Sequence, residues 1–133
     1  MKAKDLTDDQ LDFLCKHRPE WVAKNRPEWA ASNRPEWMVE NKPWLMVTHR
    51  PEVMFAHRPE WMSENRPEWA AKHRPGWMAE NRPGVMFKYR PEVMFKYRPE
   101  WVAKHRPEWV ANEKSIDLPD DIALLLVQQK LEV

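Results

Sequence analysis

His17-Arg18-Pro19-Glu20-Trp21-Val22-Ala23-Lys24 is followed at once by Asn25-Arg26-Pro27-Glu28-Trp29-Ala30-Ala31-Ser32, and the pattern runs without insertion to Asn112. Twelve octapeptides therefore fill residues 17–112. Position three is proline in every copy, from Pro19 to Pro107, and position two is arginine in eleven, with Lys42 the exception. Position five is tryptophan in eight copies, valine in three (Val53, Val85, Val93) and leucine in one (Leu45). Such a fixed period marks a repeat architecture, in which a single copy cannot bury its apolar face alone.

Each position has a backbone reading. Proline fixes φ and suits the first position of a helix, where its missing N–H is an orphan anyway. The residue before proline is pushed out of the α region, which suits arginine as the residue entering the helix. Position one is Asn, His or Tyr, and Asn and His are enriched in the left-handed region. It is therefore expected to be a left-handed cap. Each octapeptide then reads as about six helical residues plus a two-residue corner, too short to be stable without neighbours.

The apolar pattern fits a helix. At about 100° per residue, positions five, six, seven and three share one broad arc, and positions four and eight face the other way. Position four is mostly Glu, and position eight varies among Lys, Ser, Glu, Thr, Ala and Asn. Glu20–Lys24, Glu68–Lys72, Glu92–Lys96 and Glu100–Lys104 have the helix-favouring order. Volume is conserved too: where position five is Trp, position seven is small, and where it is Val, position seven is Phe (Phe55, Phe87, Phe95). These features predict an all-α solenoid with the tryptophans in its core. A β-solenoid with eight-residue sides is the alternative, because positions five and seven share a face in a strand. Residues 17–56 match 57–96 at 26 of 40 positions, as duplication of a five-repeat block would leave them.

The ends read as caps to one repeat domain. In residues 1–16, Thr7 and Gln10 form a capping-box pattern opening a helix through Leu14. Phe13, Leu14 and Cys15 fall in register as a degenerate copy, with Cys15 as a small buried filler. In residues 113–133, Leu118-Pro119-Asp120-Asp121 leads a helix carrying Ile122, Leu125, Leu126 and Leu131. Capping is the first reading of that helix and homodimerisation the second, since Leu124 to Val127 is apolar all round.

Charge and chemistry narrow the function. The net charge is +1, so no strong global field draws the chain to nucleic acid or membrane. The array carries 17 Lys or Arg against 12 Asp or Glu, a balance of +5 between acidic ends. One cysteine permits no internal disulfide, and no apolar run suggests a span or leader, so a cytoplasmic location is expected. The five histidines share one repeat position and suggest no metal site. The arginines suggest a ladder of Arg–Glu pairs, with stacking on neighbouring Trp faces as a further role. No phosphate loop or nucleophile–base arrangement occurs, so neither catalysis nor a cofactor is expected.

A binding module recognising a protein or other extended partner along one face is the leading expectation. A self-associating scaffold is the alternative, and a nucleic-acid binder is the weakest of the three. The candidate surface is Lys88, Tyr89, Arg90, Lys96, Tyr97, Arg98, Lys104 and Arg106, read as a basic ridge for an acidic partner. Between 88 and 106, six Lys or Arg face Glu92 and Glu100, a balance of +4. Gly84 also removes a glutamate opposite Lys88. Trp44, in the irregular copy Asn41-Lys42-Pro43-Trp44-Leu45, is the separate candidate.

Overall fold

A computed structural model describes the backbone of residues 2–132 and the side chains of residues 2–129, leaving the Leu131 side chain outside the described residues. A short 3-10 turn, Ala3–Asp5, precedes fourteen helices. They are α1 (Asp8–His17), α2 (Pro19–Asn25), α3 (Pro27–Asn33), α4 (Pro35–Asn41), α5 (Pro43–His49), α6 (Pro51–His57) and α7 (Pro59–Asn65). The series continues with α8 (Pro67–His73), α9 (Pro75–Asn81), α10 (Pro83–Tyr89), α11 (Pro91–Tyr97), α12 (Pro99–His105), α13 (Pro107–Asn112) and α14 (Asp120–Glu132). The fold is an all-α repeat solenoid. No strand occurs among the described residues, so the β-solenoid alternative falls. The chain divides into two compact units, Met1–Met62 and Ser63–Val133.

The corners differ from the expected left-handed cap. No described non-glycine residue has positive φ. Each repeat instead spends seven residues in helix and one in the corner, and that residue is the arginine (Lys42 in one copy). Arg26 has φ −133 and ψ 60, and Arg98 has φ −140 and ψ 70. The following proline's ring keeps these residues out of the α region. Backbone bonding still crosses the corner: the Arg26 N–H donates to the Val22 carbonyl at 2.7 Å, and its carbonyl accepts from the Ala30 N–H at 3.0 Å.

Position one is therefore helical, and its side chain has other work. The amides of Asn25, Asn33, Asn41 and Asn81 each donate to the carbonyl of the Trp four residues earlier, at 2.9–3.0 Å. Histidine there lies against the same tryptophan, with ring centroids 4.7 Å apart for Trp69–His73 and 4.5 Å for Trp101–His105.

Position six forms the innermost layer. Val22, Ala30, Met38, Met46, Met54, Met62, Ala70, Met78, Met86, Met94, Val102 and Val110 are all buried, most of them completely. Among the tryptophans at position five only Trp29 is buried, and the rest are half-buried. This corrects the expectation that tryptophan fills the core: the indoles form a rim between layers. Position six stands at the middle of the apolar arc and position five at its edge, about 100° away. Of the three phenylalanines at position seven, Phe55 and Phe95 are buried and Phe87 is half-buried.

Within each unit, helices two copies apart pack on one another: α3 with α5 and α4 with α6, then α8 with α10 and α9 with α11. Arginines stitch these layers. Arg58 donates to the Val39 carbonyl at 3.5 Å, and Arg98 to the Ala79 carbonyl at 3.2 Å. Both carbonyls would bond the N–H of the residue four on, and both times that residue is a proline. Arg82 reaches the Ser63 hydroxyl at the equivalent position, at 3.2 Å. Arg34, Arg74 and Arg106 instead donate to the carbonyl just before them, at 2.9 Å. The ion pairs Arg34–Asp12 at 2.6 Å and Arg82–Glu64 at 3.6 Å join different copies rather than an arginine to the glutamate two residues on. The expected stacking is present: Arg34, Arg74 and Arg106 sit 5.6–5.7 Å from the ring centroids of Trp29, Trp69 and Trp101.

A helix stands at each end of the array, α1 before it and α14 after it. Thr7 and Gln10 close a reciprocal capping box. The helix α1 runs on to His17 and buries Leu11, leaving Phe13 exposed and Leu14 and Cys15 half-buried. Leu11 occupies the proline position of the degenerate copy. Without proline there is no corner, and a straight helix turns Leu11 inward. Arg26 donates to the Ala3 and Leu6 carbonyls, and the Trp29 indole N–H to Asp8, tying the first residues down. At the other end α14 packs on α12 and buries Ile122. Gln129 donates to the Ala103 carbonyl at 3.2 Å, which Pro107 leaves without its helical partner.

Met78→Ala is expected to destabilise the chain by about 2–5 kcal/mol in urea unfolding, whereas Glu68→Ala on the exposed face should cost less than about 0.5 kcal/mol. Asn33→Gly should also be destabilising, by about 1 kcal/mol, because it removes a side-chain hydrogen bond and loosens a helical residue. A stabilising Asn33→Gly would restore the left-handed cap.

Candidate functional site

The surface is made by positions four and eight, which the helices turn away from the buried stripe. Lys88, Lys96 and Lys104 are exposed at position eight of α10, α11 and α12. The Lys88 ammonium lies 5.5 Å from the Tyr89 ring centroid, a cation–π distance. Tyr97 is 50% exposed, and its ring lies against α9, where a Cβ on Gly76 would stand 3.7 Å from Cε1.

The structure divides the sequence-predicted residues. Lys88, Lys96, Lys104, Tyr97 and Trp44 present their side chains to solvent, while Tyr89 and Arg90 are half-buried. Arg98 is committed to the Ala79 carbonyl. Arg106 stacks over Phe87 at 5.3 Å and over Trp101. Tyr97, Arg98 and Lys104 come together with Glu100, Trp101 and His105 on an open depression of about 470 Å³. Lys88, Tyr89, Arg90 and Lys96 do not line it. Copies two apart pack on one another, as α9 does on α11, and so do consecutive copies, as α10 does on α11 and α11 on α12.

Trp44 belongs to the first unit. It is 51% exposed and meets Trp61 edge-on, with centroids 5.0 Å apart. A second open depression, about 560 Å³, is lined by Arg18, Glu20, Trp21, Lys24, Lys42 and Leu45. Sequence reasoning missed it. The available signal was Arg-Pro-Glu-Trp-Val-Ala-Lys, which occurs at 18–24 and again at 98–104 in the wall of the other depression.

Cys15 sits beside a small cavity of about 70 Å³ with Ala30, Arg34 and Trp37. Burial pushes its thiol above the usual range, against the pull of Arg34 and with a further rise from Asp12. A raised thiol holds less thiolate and is the less reactive for it. No group of three or more His, Cys, Asp or Glu able to hold a metal ion occurs among the described residues. No helix among them is long and apolar enough to cross a membrane. No family model, curated protein or solved structure matches this chain.

Proposed function

We propose that this protein is a non-enzymatic binding module of the cytoplasm that recognises an acidic, extended segment of a partner protein. The observation that carries the reading is the depression bounded by Tyr97, Arg98 and Lys104. It sits in the stretch where the array is most basic. An exposed tyrosine and a half-buried indole edge give it apolar contact area, and the cations give it the sign of its partner. Tyr and Arg are the residues enriched at interface hot spots, and complementary charge sets encounter rate and register. The position-eight lysines make no ion pair among those resolved for the described residues, so meeting a carboxylate requires no internal pair to break.

Self-association is the second reading, favoured by α14. Its Leu124 and Val127 are 65% and 56% exposed beside the half-exposed Leu118, an apolar face of the kind that joins copies.

The test is fluorescence anisotropy with a fluorescein-labelled oligoglutamate peptide. Lys104→Glu should weaken binding about fivefold at low salt, an effect that shrinks as salt screens the charges. Lys72→Glu, on another exposed helix face, should change it little. Equal effects from both variants would leave the depression with no special role. Light scattering that rises in mass with concentration, and is reversed by Leu124→Glu, would favour self-association instead.

A further inference from the structure

The copy Asn41-Lys42-Pro43-Trp44-Leu45 breaks the consensus at three positions. Two of the three, Lys42 and Leu45, line the first-unit depression of about 560 Å³. The third, Trp44, stands exposed on the same helix. Leu45 replaces the tryptophan of eight other copies with a shorter side chain and lines the depression together with Trp21. Lys42 replaces an arginine that at other corners donates into neighbouring backbone. Lysine has a compact, mobile ammonium rather than a rigid fork, and here it stands at the wall of the depression. Arg18, Lys24 and Lys42 against Glu20 give this wall a balance of +2. Arg18, Glu20, Trp21 and Lys24 belong to the same heptapeptide that supplies Arg98, Glu100, Trp101 and Lys104 to the second-unit depression.

We propose that the first-unit depression is a second subsite of the same chemistry, so that each unit holds one acidic segment of the partner. A carboxylate sits among Arg18, Lys24 and Lys42, and a neighbouring apolar side chain lies on Trp21 and Leu45. The inference rests on the acidic-partner reading above.

Isothermal titration with a short oligoglutamate peptide carrying one central leucine tests this. The full chain should bind two equivalents. Lys24→Glu with Lys42→Glu should leave one, and so should Leu45→Trp, which restores the consensus with a larger side chain. Lys104→Glu should weaken the other one. Two equivalents retained in both first-unit variants would overturn the subsite. Two retained in Leu45→Trp alone would overturn the apolar contact. One equivalent on the unaltered chain, weakened by Lys104→Glu, would sink this inference and leave the proposed function standing. No binding to any form would sink both.

Discussion

Everything in the array follows from one missing donor every eight residues. A proline at position three cannot give an N–H to the position-seven carbonyl four residues before it, and its ring bars the preceding arginine from the α region. The helix must break there. The break takes a single residue, because the arginine N–H and carbonyl still bond to position six on either side. The position-seven carbonyl is left with no helical partner. A buried carbonyl without a partner costs about 1–3 kcal/mol, and arginine is long enough to reach one in the neighbouring layer. Arg58 on Val39 and Arg98 on Ala79 do this. At these two corners proline and arginine act together, the first turning the chain and the second closing the gap that the turn leaves, whereas Arg34, Arg74 and Arg106 bond to the carbonyl just before them.

Packing follows from the same geometry. Seven-residue helices are too short to stand alone, so their stability comes from the buried stripe. Position six, at the centre of the apolar arc, becomes the fully buried methionine and valine column. Methionine suits it, because a flexible thioether fills irregular gaps between short helices. The tryptophans, at the arc's edge, cover that column and leave indole edges at the surface. Those edges, set beside position-two and position-eight cations, give both depressions their mixed apolar and basic character. A fold built for self-support thus yields surfaces of one recurring chemistry, varied where a copy departs from the consensus.

Much of this was legible in the sequence. The period, the proline-led helices, the outward face of Glu20 and its equivalents, the Thr7–Gln10 capping box and the Phe-for-Trp exchange all depend on local geometry. What misled was local geometry applied one residue too far. Asn at position one suggested a left-handed cap, but its amide can reach the carbonyl four residues back while its backbone stays helical, as Asn33 does on Trp29. Large size made tryptophan look like the core, although the wheel places position six at its centre. The partners of Arg58, Arg82 and Arg98 were hidden because they lie 19 residues away, a distance that helical periodicity does not encode. Of the basic residues from Lys88 to Arg106, Arg98 and Lys104 line one depression, a grouping that helical periodicity does not encode.

Arg98 and Pro83 act on the same carbonyl, that of Ala79. A double-mutant cycle on stability measures this directly, by urea unfolding of the parent chain, Arg98→Met, Pro83→Ala and the double variant. Pro83→Ala supplies the missing N–H, so the Ala79 carbonyl should no longer need the guanidinium. Arg98→Met should then cost less by about 1 kcal/mol in the Pro83→Ala background than in the parent. Losses that add with no interaction between the two sites would contradict the claim.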